Sequence, residues 1–211
     1  MKCLIVSNGT IEDYRWLENE VKKHDYIISV DGGTRHLYKI RQIPHAIVGD
    51  LDSISEEMIR YYKERNVEFH EFPPQKDYTD TEIAIEHAIS RNADKITIVG
   101  GIGIRLDHTL ANIALLIPLL NKGVDARIVN EYNEIIVVNQ DIELEGEVGE
   151  LISILPCCTT AEGLTLKGFE YPLYDAKIDI GSSIGISNRF IQPKASISIK
   201  KGYILVIRSK E

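Results

Sequence analysis

The chain has few cysteines and no long apolar run. Only three of its 211 residues are cysteine, and Cys157 and Cys158 are adjacent rather than spaced as metal ligands usually are. The odd cysteine count predicts reduced thiols, and the apolar start at residues 1–6 is too short for a secretory signal, so we expect a cytoplasmic protein. No window approaches the roughly 18 uncharged apolar residues of a membrane span, so we expect no membrane-spanning helix.

Positive charge is also scarce. The sequence has 24 lysines and arginines against 32 aspartates and glutamates, which gives a formal net charge of −8. This balance, without any basic run, argues against non-specific binding to nucleic acid or to an anionic membrane. The six histidines are scattered without metal-ligand spacing, so we expect most of them to lie on the surface or to be satisfied in the core. An anionic substrate would therefore have to arrive with its own cation.

Short apolar runs alternate with helical patterns over the first two thirds of the chain. The runs predict strands at residues 3–6, 26–30, 46–48, 67–72 and 95–99. The segments between them predict helices that begin at Thr10, Thr34, Ser55, Thr81 and Thr109. Strands separated by helices are typical of βαβ units, so residues 1–133 are predicted to form a mostly parallel, three-layer α/β domain.

The pattern changes near residue 134, after which no convincing helix remains. Short strand candidates are separated by glycine, proline, asparagine and aspartate, and they lie at residues 135–138, 151–155, 164–166, 177–180, 197–199 and 203–207. This pattern predicts a small all-β domain over residues 134–211, either a sandwich, which we favour, or an open barrel.

Aspartates follow the predicted strands of the first domain. Asp31 follows the second strand and Asp50 and Asp52 follow the third, whereas Asp77 and Asp80 precede a predicted helix. Ligands of open α/β sheets bind beyond the carboxyl ends of the strands, so these carboxylates can converge there. Converging carboxylates repel one another unless a cation neutralises them, and oxygen ligands suit Mg²⁺ with a phosphate substrate. The pattern therefore indicates metal-assisted chemistry on a phosphate.

Other metal-loop and nucleotide motifs fit poorly. With Asp50 in the first position, Ser55 and Tyr61 occupy the places where an EF-hand needs glycine and glutamate. The glycine loop at residues 100–105 has Leu106 where a dinucleotide fingerprint needs its third glycine, and the chain has no Walker A sequence. What remains is a flexible loop with Arg105, a residue suited to bidentate recognition of phosphate.

Each motif also has an ordinary structural explanation. Asp31 with Gly32 and Gly33 could form a glycine turn with a solvated carboxylate. Residues 76–80 could form a helix N-terminus, where acidic residues complement the dipole, and Asp107 could cap the helix that follows the glycine loop.

The ordered set of motifs resembles the thiamin pyrophosphokinase family. It consists of Asp31-Gly32-Gly33, residues 49–53, Asp77 with Thr79 and Asp80, and residues 105–109, and residues 166–173 and 185–188 are similar to motifs of that family's β-domain. The resemblance spans nearly the whole chain. It implies transfer of the β,γ-pyrophosphoryl group of ATP to the hydroxyl of thiamin with release of AMP. It also implies an α/β domain that binds ATP and Mg²⁺, a β-sandwich that binds thiamin, and a homodimer with active sites at the subunit interface.

The resemblance also implies roles for individual residues. The catalytic and metal-binding centre would consist of Asp31, Asp50, Asp52 and Asp80. The contacts with ATP would come from Asn8, Gly32, Gly33, Lys76, Asp77, Thr79 and Arg105, and those with the substrate from Asp107, His108, Ser187 and Asn188.

Two departures from the family and three alternatives stay open at this point. The only tryptophan is Trp16, whereas animal and fungal members carry one near thiamin, so Phe190 or Tyr171 would have to replace it. Ile102 and Ile104 stand in the glycine loop where smaller residues are expected. The alternatives are an aspartyl-phosphate phosphatase with Asp50 as nucleophile, a nucleotide-sugar transferase with an Asp-x-Asp metal site, and a non-catalytic Mg-nucleotide-binding module.

Overall fold

The computed structural model describes residues 1–73 and 77–210, which form two compact units, Met1–Glu131 and Tyr132–Glu211. The division lies two residues before the predicted boundary. Among the helices of the described residues, none combines the length and the apolar character that a membrane crossing requires.

The first unit alternates strands with helices. Its elements are β1 (Lys2–Val6), α1 (Tyr14–Val21), β2 (Tyr26–Val30), α2 (Thr34–Lys39), β3 (Ala46–Gly49), α3 (Glu56–Lys63), β4 (Glu68–Glu71), α4 (Asp80–Ser90), β5 (Lys95–Val99), α5 (Leu106–Asn121) and β6 (Asp125–Val129). The strands pair in parallel in the order β4-β3-β2-β1-β5-β6, which confirms the predicted parallel sheet. Strand β6 was not predicted.

Helices cover both faces of this sheet, as the alternation of side chains along its strands requires. Leu4 and Val6 of β1 pack in one buried cluster with Leu17 of α1 and Leu37 of α2. The next residue of β1, Ile5, is buried on the opposite face, and α4 packs against β1, β2 and β3. The unit therefore has the predicted three layers.

Two helices begin three or more residues from their predicted starts, whereas α4 begins at Asp80, one residue before the predicted Thr81. Asp13, not Thr10, is the N-cap of α1, because its carboxylate accepts hydrogen bonds from the backbone N–H groups of Arg15 and Trp16. Helix α5 begins at Leu106, three residues before the predicted Thr109, and its N-cap residue is Arg105. Asp107 therefore lies in the first turn of α5, where its charge complements the helix dipole.

The order of the strands creates a switch point beside β1. Consecutive strands run from β1 through β2 and β3 to β4 on one side, whereas β5 and β6 lie on the other side. In open α/β sheets a ligand crevice forms at the carboxyl ends of the strands where the order reverses. The segments that follow β1 and β5 are therefore expected to line a pocket.

The second unit is all β over its described residues. Its strands are β7 (Asn133–Val138), β8 (Ile142–Glu145), β9 (Leu151–Lys167), β10 (Leu173–Ile178), β11 (Asn188–Arg189), β12 (Lys194–Ser198) and β13 (Lys201–Ser209). The first half of β9 pairs with β13 and β11, whereas its second half pairs with β10 and β12. Strands β8 and β11 were not predicted, and β9 replaces the two separate strands expected at 151–155 and 164–166.

Strand β9 changes sheets because it bends in the middle. Its pairing with β13 shifts register between Tyr203 and Lys201, and Cys158 and Gly163 within the bend have positive φ angles of 65° and 71°. Such bulges turn a strand from one sheet into another. Ile154 and Leu166, on either side of the bend, contribute to the same buried cluster. The unit is the predicted sandwich.

Candidate active site

A pocket of about 450 Å³ opens at the switch point of the first unit. Its lining includes segments that follow β1, β2 and β5 and the first turn of α4: Ser7, Asn8, Gly9, Thr10, Val30, Asp31, Arg35, Ser53, Thr79, Asp80, Thr81, Gly100, Gly101, Gly103, Ile104, Arg105, His108, Thr109 and Asn112. The size is in the range of small-molecule sites, and most of the lining side chains are polar.

Three carboxylates converge beside this pocket. One oxygen from each of Asp31, Asp50 and Asp52 lies within 4.8 Å of the other two. The loop that carries two of them is ordered internally, since the Asp52 N–H donates to Oδ1 of Asp50 at 3.2 Å and the Ser53 hydroxyl donates to Oδ1 of Asp52 at 3.0 Å. The predicted convergence of these acids is therefore present.

Asp31 is the most constrained of the three acids. Burial raises its pKa above the ordinary value, and the charges of Asp50 and Asp52 raise it further, whereas hydrogen bonds from Ser53 and Gly32 oppose the shift. Its Oδ1 atom is buried and has no hydrogen-bond partner among residues 1–73 and 77–210. An unsatisfied buried oxygen beside two further carboxylates is what a hard divalent cation needs, so the donor set fits Mg²⁺.

Close backbone contacts fix the two loops on either side of the switch point. The Gly9 N–H donates to the Gly100 carbonyl at 2.8 Å, and the Ser7 N–H donates to the Val99 carbonyl at 2.8 Å. Gly100 has a φ of 64°, and a Cβ atom there would lie 2.3 Å from the Ser7 carbonyl oxygen. Only glycine fits this contact.

The N-terminus of α4 faces the same pocket. The Thr79 hydroxyl caps the helix by accepting a hydrogen bond from the Glu82 N–H at 3.2 Å, and Asp80 is the first helical residue. The hydroxyls of Thr81 and Ser7 lie 3.1 Å apart in a buried contact that ties α4 to the end of β1. Backbone N–H groups and the positive end of the helix dipole are thus directed at the site, which favours a bound anion.

Two arginines bring positive charge to the pocket. Arg105 forms a bidentate ion pair with Asp107, with its Nη2 atom 2.6 Å and its Nε atom 3.2 Å from the carboxylate oxygens. This pair lowers the pKa of Asp107 to about 2. Arg35 contacts the Asn8 side chain and donates to the Asn8 carbonyl at 2.9 Å. Both guanidinium groups are exposed, so they can also contact phosphate.

The pocket includes some of the predicted site residues and leaves others outside its lining. Those in the lining are Asn8, Asp31, Thr79, Asp80, Arg105 and His108, whereas Gly32, Gly33, Asp50, Asp52, Asp77 and Asp107 are outside it. Gly32 and Gly33 are buried, and a Cβ atom at either position would strike the Asn8 side chain or the Val6 carbonyl. Close packing therefore explains these glycines. Lys76 lies outside the described residues.

Ser187 and Asn188 belong to the second unit, where their environments differ. Ser187 is exposed and has a φ of 57°, and its N–H donates to the Ser153 hydroxyl at 3.1 Å. Asn188 is only 1% exposed. Its Oδ1 atom accepts a hydrogen bond from the Tyr171 N–H at 2.9 Å, and its Nδ2 atom donates one to the Tyr171 carbonyl at 2.8 Å. The Asn188 side chain therefore orders the backbone of Tyr171, whose own side chain is exposed.

Several residues that line or support the pocket were not predicted as site residues from the sequence. The Asn112 side chain donates to the Gly101 carbonyl at 2.8 Å, and the Thr109 hydroxyl accepts from the Gly103 N–H at 3.2 Å, so α5 holds the glycine loop. His36 is buried, with Nε2 2.8 Å from the Gly9 carbonyl and Nδ1 2.9 Å from the Tyr14 hydroxyl. The available signal for Arg35 was a cation two residues after Gly33.

Comparison with known proteins gives a consistent result for both units. The family model described as "Thiamin pyrophosphokinase, catalytic domain" matches residues 17–128, and "Thiamin pyrophosphokinase, vitamin B1 binding domain" matches residues 136–204. A thiamine pyrophosphokinase of Bacillus subtilis (strain 168) is 35% identical over 210 residues, which is 98% of each chain.

Solved structures of similar proteins cover the whole chain. The thiamine pyrophosphokinase from Bacillus subtilis has a TM-score of 0.91 at 31% identity, with 100% of both chains covered. The thiamin pyrophosphokinase from Geobacillus thermodenitrificans has a TM-score of 0.86 at 30% identity, with coverage of 100% of this chain and 98% of that one.

Proposed function

Since the chain belongs to the thiamin pyrophosphokinase family, we propose that it transfers the β,γ-pyrophosphoryl group of ATP to the hydroxyl of thiamin. The products are thiamin diphosphate and AMP. The observation that carries this proposal is the convergence of Asp31, Asp50 and Asp52 beside a pocket at the switch point of the sheet. No similar protein supports the phosphatase, the sugar transferase or the non-catalytic module.

The nucleotide phosphates bind in the pocket of the first unit. Arg35, Arg105 and the N-terminus of α4 at Thr79 supply positive charge and N–H donors there, and Asn8 and the glycine loop bring backbone groups close. Lys76 and Asp77 lie three and two residues before Thr79 in the chain, and we assign them to the same ATP contacts. Gly32 and Gly33 contribute indirectly, because Gly32 leaves room for the Asn8 side chain and Gly33 for the Val6 carbonyl.

Asp31, Asp50 and Asp52 would hold Mg²⁺, and we assign Asp80 to the same ion because it lines the same pocket as Asp31. When bound, the cation neutralises charge on the phosphates and offsets the repulsion among the carboxylates. The unpartnered Oδ1 of Asp31 supports this assignment, because an acid with this environment gains most from a nearby positive charge.

Transfer itself needs alignment and charge stabilisation rather than a covalent intermediate. The thiamin hydroxyl oxygen attacks the β-phosphorus, the bond from that phosphorus to the α-phosphate oxygen breaks, and AMP leaves. Arg105, preset by its pair with Asp107, stabilises the negative charge that develops on the phosphoryl oxygens. A carboxylate of the pocket accepts the hydroxyl proton.

Thiamin is recognised by the second unit together with the start of α5. We assign Asp107, His108 and Ser187 to direct contacts, and Asn188 to the positioning of Tyr171 through its buried hydrogen bonds. The exposed ring of Tyr171 is available to contact thiamin, whereas Phe190 is 1% exposed and packs against Phe169. This difference favours Tyr171 over Phe190 as the aromatic contact.

The active form of the protein is a homodimer, with each active site completed across the subunit interface. Exposed apolar side chains flank both candidate segments: Ile104, Leu106 and Leu110 around Arg105, and Ile184 and Ile186 next to Ser187. Apolar side chains grouped in this way are typical of surfaces that become buried on association.

The activity is tested by incubating the protein with ATP, thiamin and Mg²⁺ and by following all products chromatographically. We expect thiamin diphosphate and AMP in equal amounts, and neither product when thiamin is left out. Accumulation of ADP with thiamin monophosphate would reject pyrophosphoryl transfer. Release of inorganic phosphate without an acceptor would instead favour a phosphatase.

A further inference from the structure

A second group of potential metal ligands lies away from the aspartates. One ligand atom from each of Glu68, His70 and His87 lies within 4.8 Å of the other two. Glu68 and His70 share a face of β4 because they are two residues apart on a strand, and His87 faces them from α4. His87 lies seven residues after Asp80, about 10 Å further along the α4 axis, so this group is separate from the acidic site.

The donor atoms suit a borderline transition ion rather than Mg²⁺. The His70 Nε2 and Glu68 Oε2 atoms are 3.3 Å apart. Two ligands on a tetrahedral Zn²⁺ ion are separated by about 3.4 Å when their bonds are near 2.1 Å. Two imidazoles with one carboxylate form a recurrent ligand set for divalent transition metals. The His70 Nε2 and Glu68 Oε2 atoms therefore already have the separation that such an ion requires.

The surroundings orient His87 as a ligand. Its Nε2 atom lies 3.2 Å from the Tyr26 hydroxyl, and the Tyr26 ring stacks on His45 at 4.6 Å between centroids. A hydrogen-bond partner on a metal-binding imidazole fixes the ring and tunes its basicity.

Arg91 is the group that opposes metal binding. Its Nη2 atom lies 2.6 Å from Oε2 of Glu68, so the guanidinium neutralises the carboxylate that an ion would use. The Arg91 and Glu68 side chains are 44% and 48% exposed, which lets the arginine move into solvent when an ion arrives. Arg91 therefore competes with the metal without blocking the site sterically.

We propose that Glu68, His70 and His87 form a structural site for a divalent transition ion of the Zn²⁺ type. The ion joins β4 to α4. Strand β4 is the edge of the sheet and pairs with β3, so a metal bridge gives this four-residue strand a second attachment. The bridged elements flank the segment that leads to Thr79 and Asp80, so the site stabilises the elements next to the phosphate pocket.

The test is a Zn²⁺ titration of the full-length protein after chelator treatment, in competition with a chromophoric chelator. Millimolar Mg²⁺ is present throughout to occupy the carboxylate site, since Mg²⁺ competes poorly for imidazole. We expect a single strong Zn²⁺ site. His70→Gln and His87→Gln should each weaken it at least about tenfold, because loss of a ligand costs no less than loss of an outer-shell partner.

Two further variants make the test specific. His24→Gln removes a histidine from outside the group and should leave Zn²⁺ affinity unchanged. Arg91→Gln should tighten binding, because the competing guanidinium is removed. Zn²⁺ should also raise the melting temperature of the wild-type protein but not that of His70→Gln, which changes a half-exposed position on an edge strand. Absence of a strong site in Mg²⁺, or a site that survives both histidine substitutions, would overturn the proposal.

Discussion

Asp31 combines three unfavourable features at one residue. It has a φ of 43°, it is partly buried, and one of its carboxylate oxygens lacks a partner among the described residues. A neighbouring Cβ atom at position 49 would lie 3.0 Å from the Asp31 Cβ, so Gly49 permits the close approach of the two strand ends. Strain and an unpaired charge of this kind persist at functional sites, where a ligand offsets them.

Loss of one carboxylate should reduce turnover strongly. Asp50→Asn and Asp52→Asn keep the side-chain shape but remove charge, and we expect each to lower kcat about 10²-fold or more. Asp125→Asn, at an exposed carboxylate on β6, is the matched control and should retain activity. Steady-state assays at saturating Mg²⁺ check this. Near-wild-type rates in both site variants would remove these aspartates from the centre.

The raised pKa of Asp31 predicts a pH-dependent gain in stability for Asp31→Asn. A carboxyl whose folded pKa exceeds the unfolded value destabilises the fold as pH rises through that interval. The variant should therefore melt at a higher temperature than the wild type at pH 7 without Mg²⁺. This difference in melting temperature should shrink as the pH is lowered toward 3.8, the ordinary pKa of an aspartate. Mg²⁺ should raise the melting temperature of the wild type more than that of the variant. A pH-independent difference would contradict this account.

The sequence predicted the acidic residues better than it predicted their partners. Asp31, Asp50 and Asp52 follow strands, so the parallel sheet alone brings them to one edge. Arg35 and Asn112 reach the pocket from helices, and their contacts with Asn8 and Gly101 depend on how those helices pack. No local pattern encodes that packing, which is why these residues were missed.

At the scale of elements, predictability follows burial. Strands β2 and β5 are nearly continuous apolar runs, and both were predicted with the bounds observed. Strand β6 begins with Asp125-Ala126-Arg127, of which none is buried, so it lacks the apolar run of a central strand. Strand β9 contains Pro156 and a polar middle that suggested a break, whereas pairing with β13, β10 and β12 keeps it extended.

Because the loops after β1 and β5 are in close contact, we expect Gly100→Ala to reduce both stability and ATP binding. A Cβ atom would meet the Ser7 carbonyl at 2.3 Å in a left-handed conformation, so both strain and a backbone clash result. We expect a loss of about 2–4 kcal/mol in the free energy of unfolding, together with weaker ATP binding.

Gly123→Ala provides the matched control for that change. Gly123 also has a positive φ, of 75°, but a Cβ atom there would meet nothing within 4 Å. Gly123→Ala should lower the free energy of unfolding by only about 1–2 kcal/mol and leave ATP binding unchanged. Denaturant unfolding and nucleotide titration of the two variants separate the clash from the conformational cost. Equal effects of both substitutions would show that the loop contact is unimportant.

At the scale of the whole molecule, the proposed site residues are divided between two units with separate cores. The aspartates and arginines belong to Met1–Glu131, and Ser187 and Asn188 belong to Tyr132–Glu211. Sequence patterns predicted both units, since the alternation of helices and strands ends near the division. In the homodimer that we propose, the subunits meet at surfaces such as those around Ile104 and Ile186. An exposed apolar residue does not by itself specify a partner, so the sequence could not predict these contacts.

The homodimer proposal predicts that two inactive variants restore activity when mixed. Asp52→Asn removes a charge from the acidic centre, and Ser187→Arg places a bulky cation where the cationic thiazolium of thiamin would bind. If each site combines Asp52 of one subunit with Ser187 of the other, a hybrid dimer has one site with both lesions and one intact site. Random exchange makes half of the dimers hybrids, so about a quarter of wild-type activity should return.

The control is a mixture of Asp50→Asn with Asp52→Asn. Here every site of a hybrid dimer keeps one lesion in the acidic centre, so no activity should return whichever subunits form the site. Native mass spectrometry of the same mixtures measures the fraction of hybrid dimers. If hybrids form and the mixture of Asp52→Asn with Ser187→Arg stays inactive, then the acidic centre and Ser187 of one subunit serve the same site. In that arrangement each of the two sites of a hybrid dimer carries one lesion, so neither site is active.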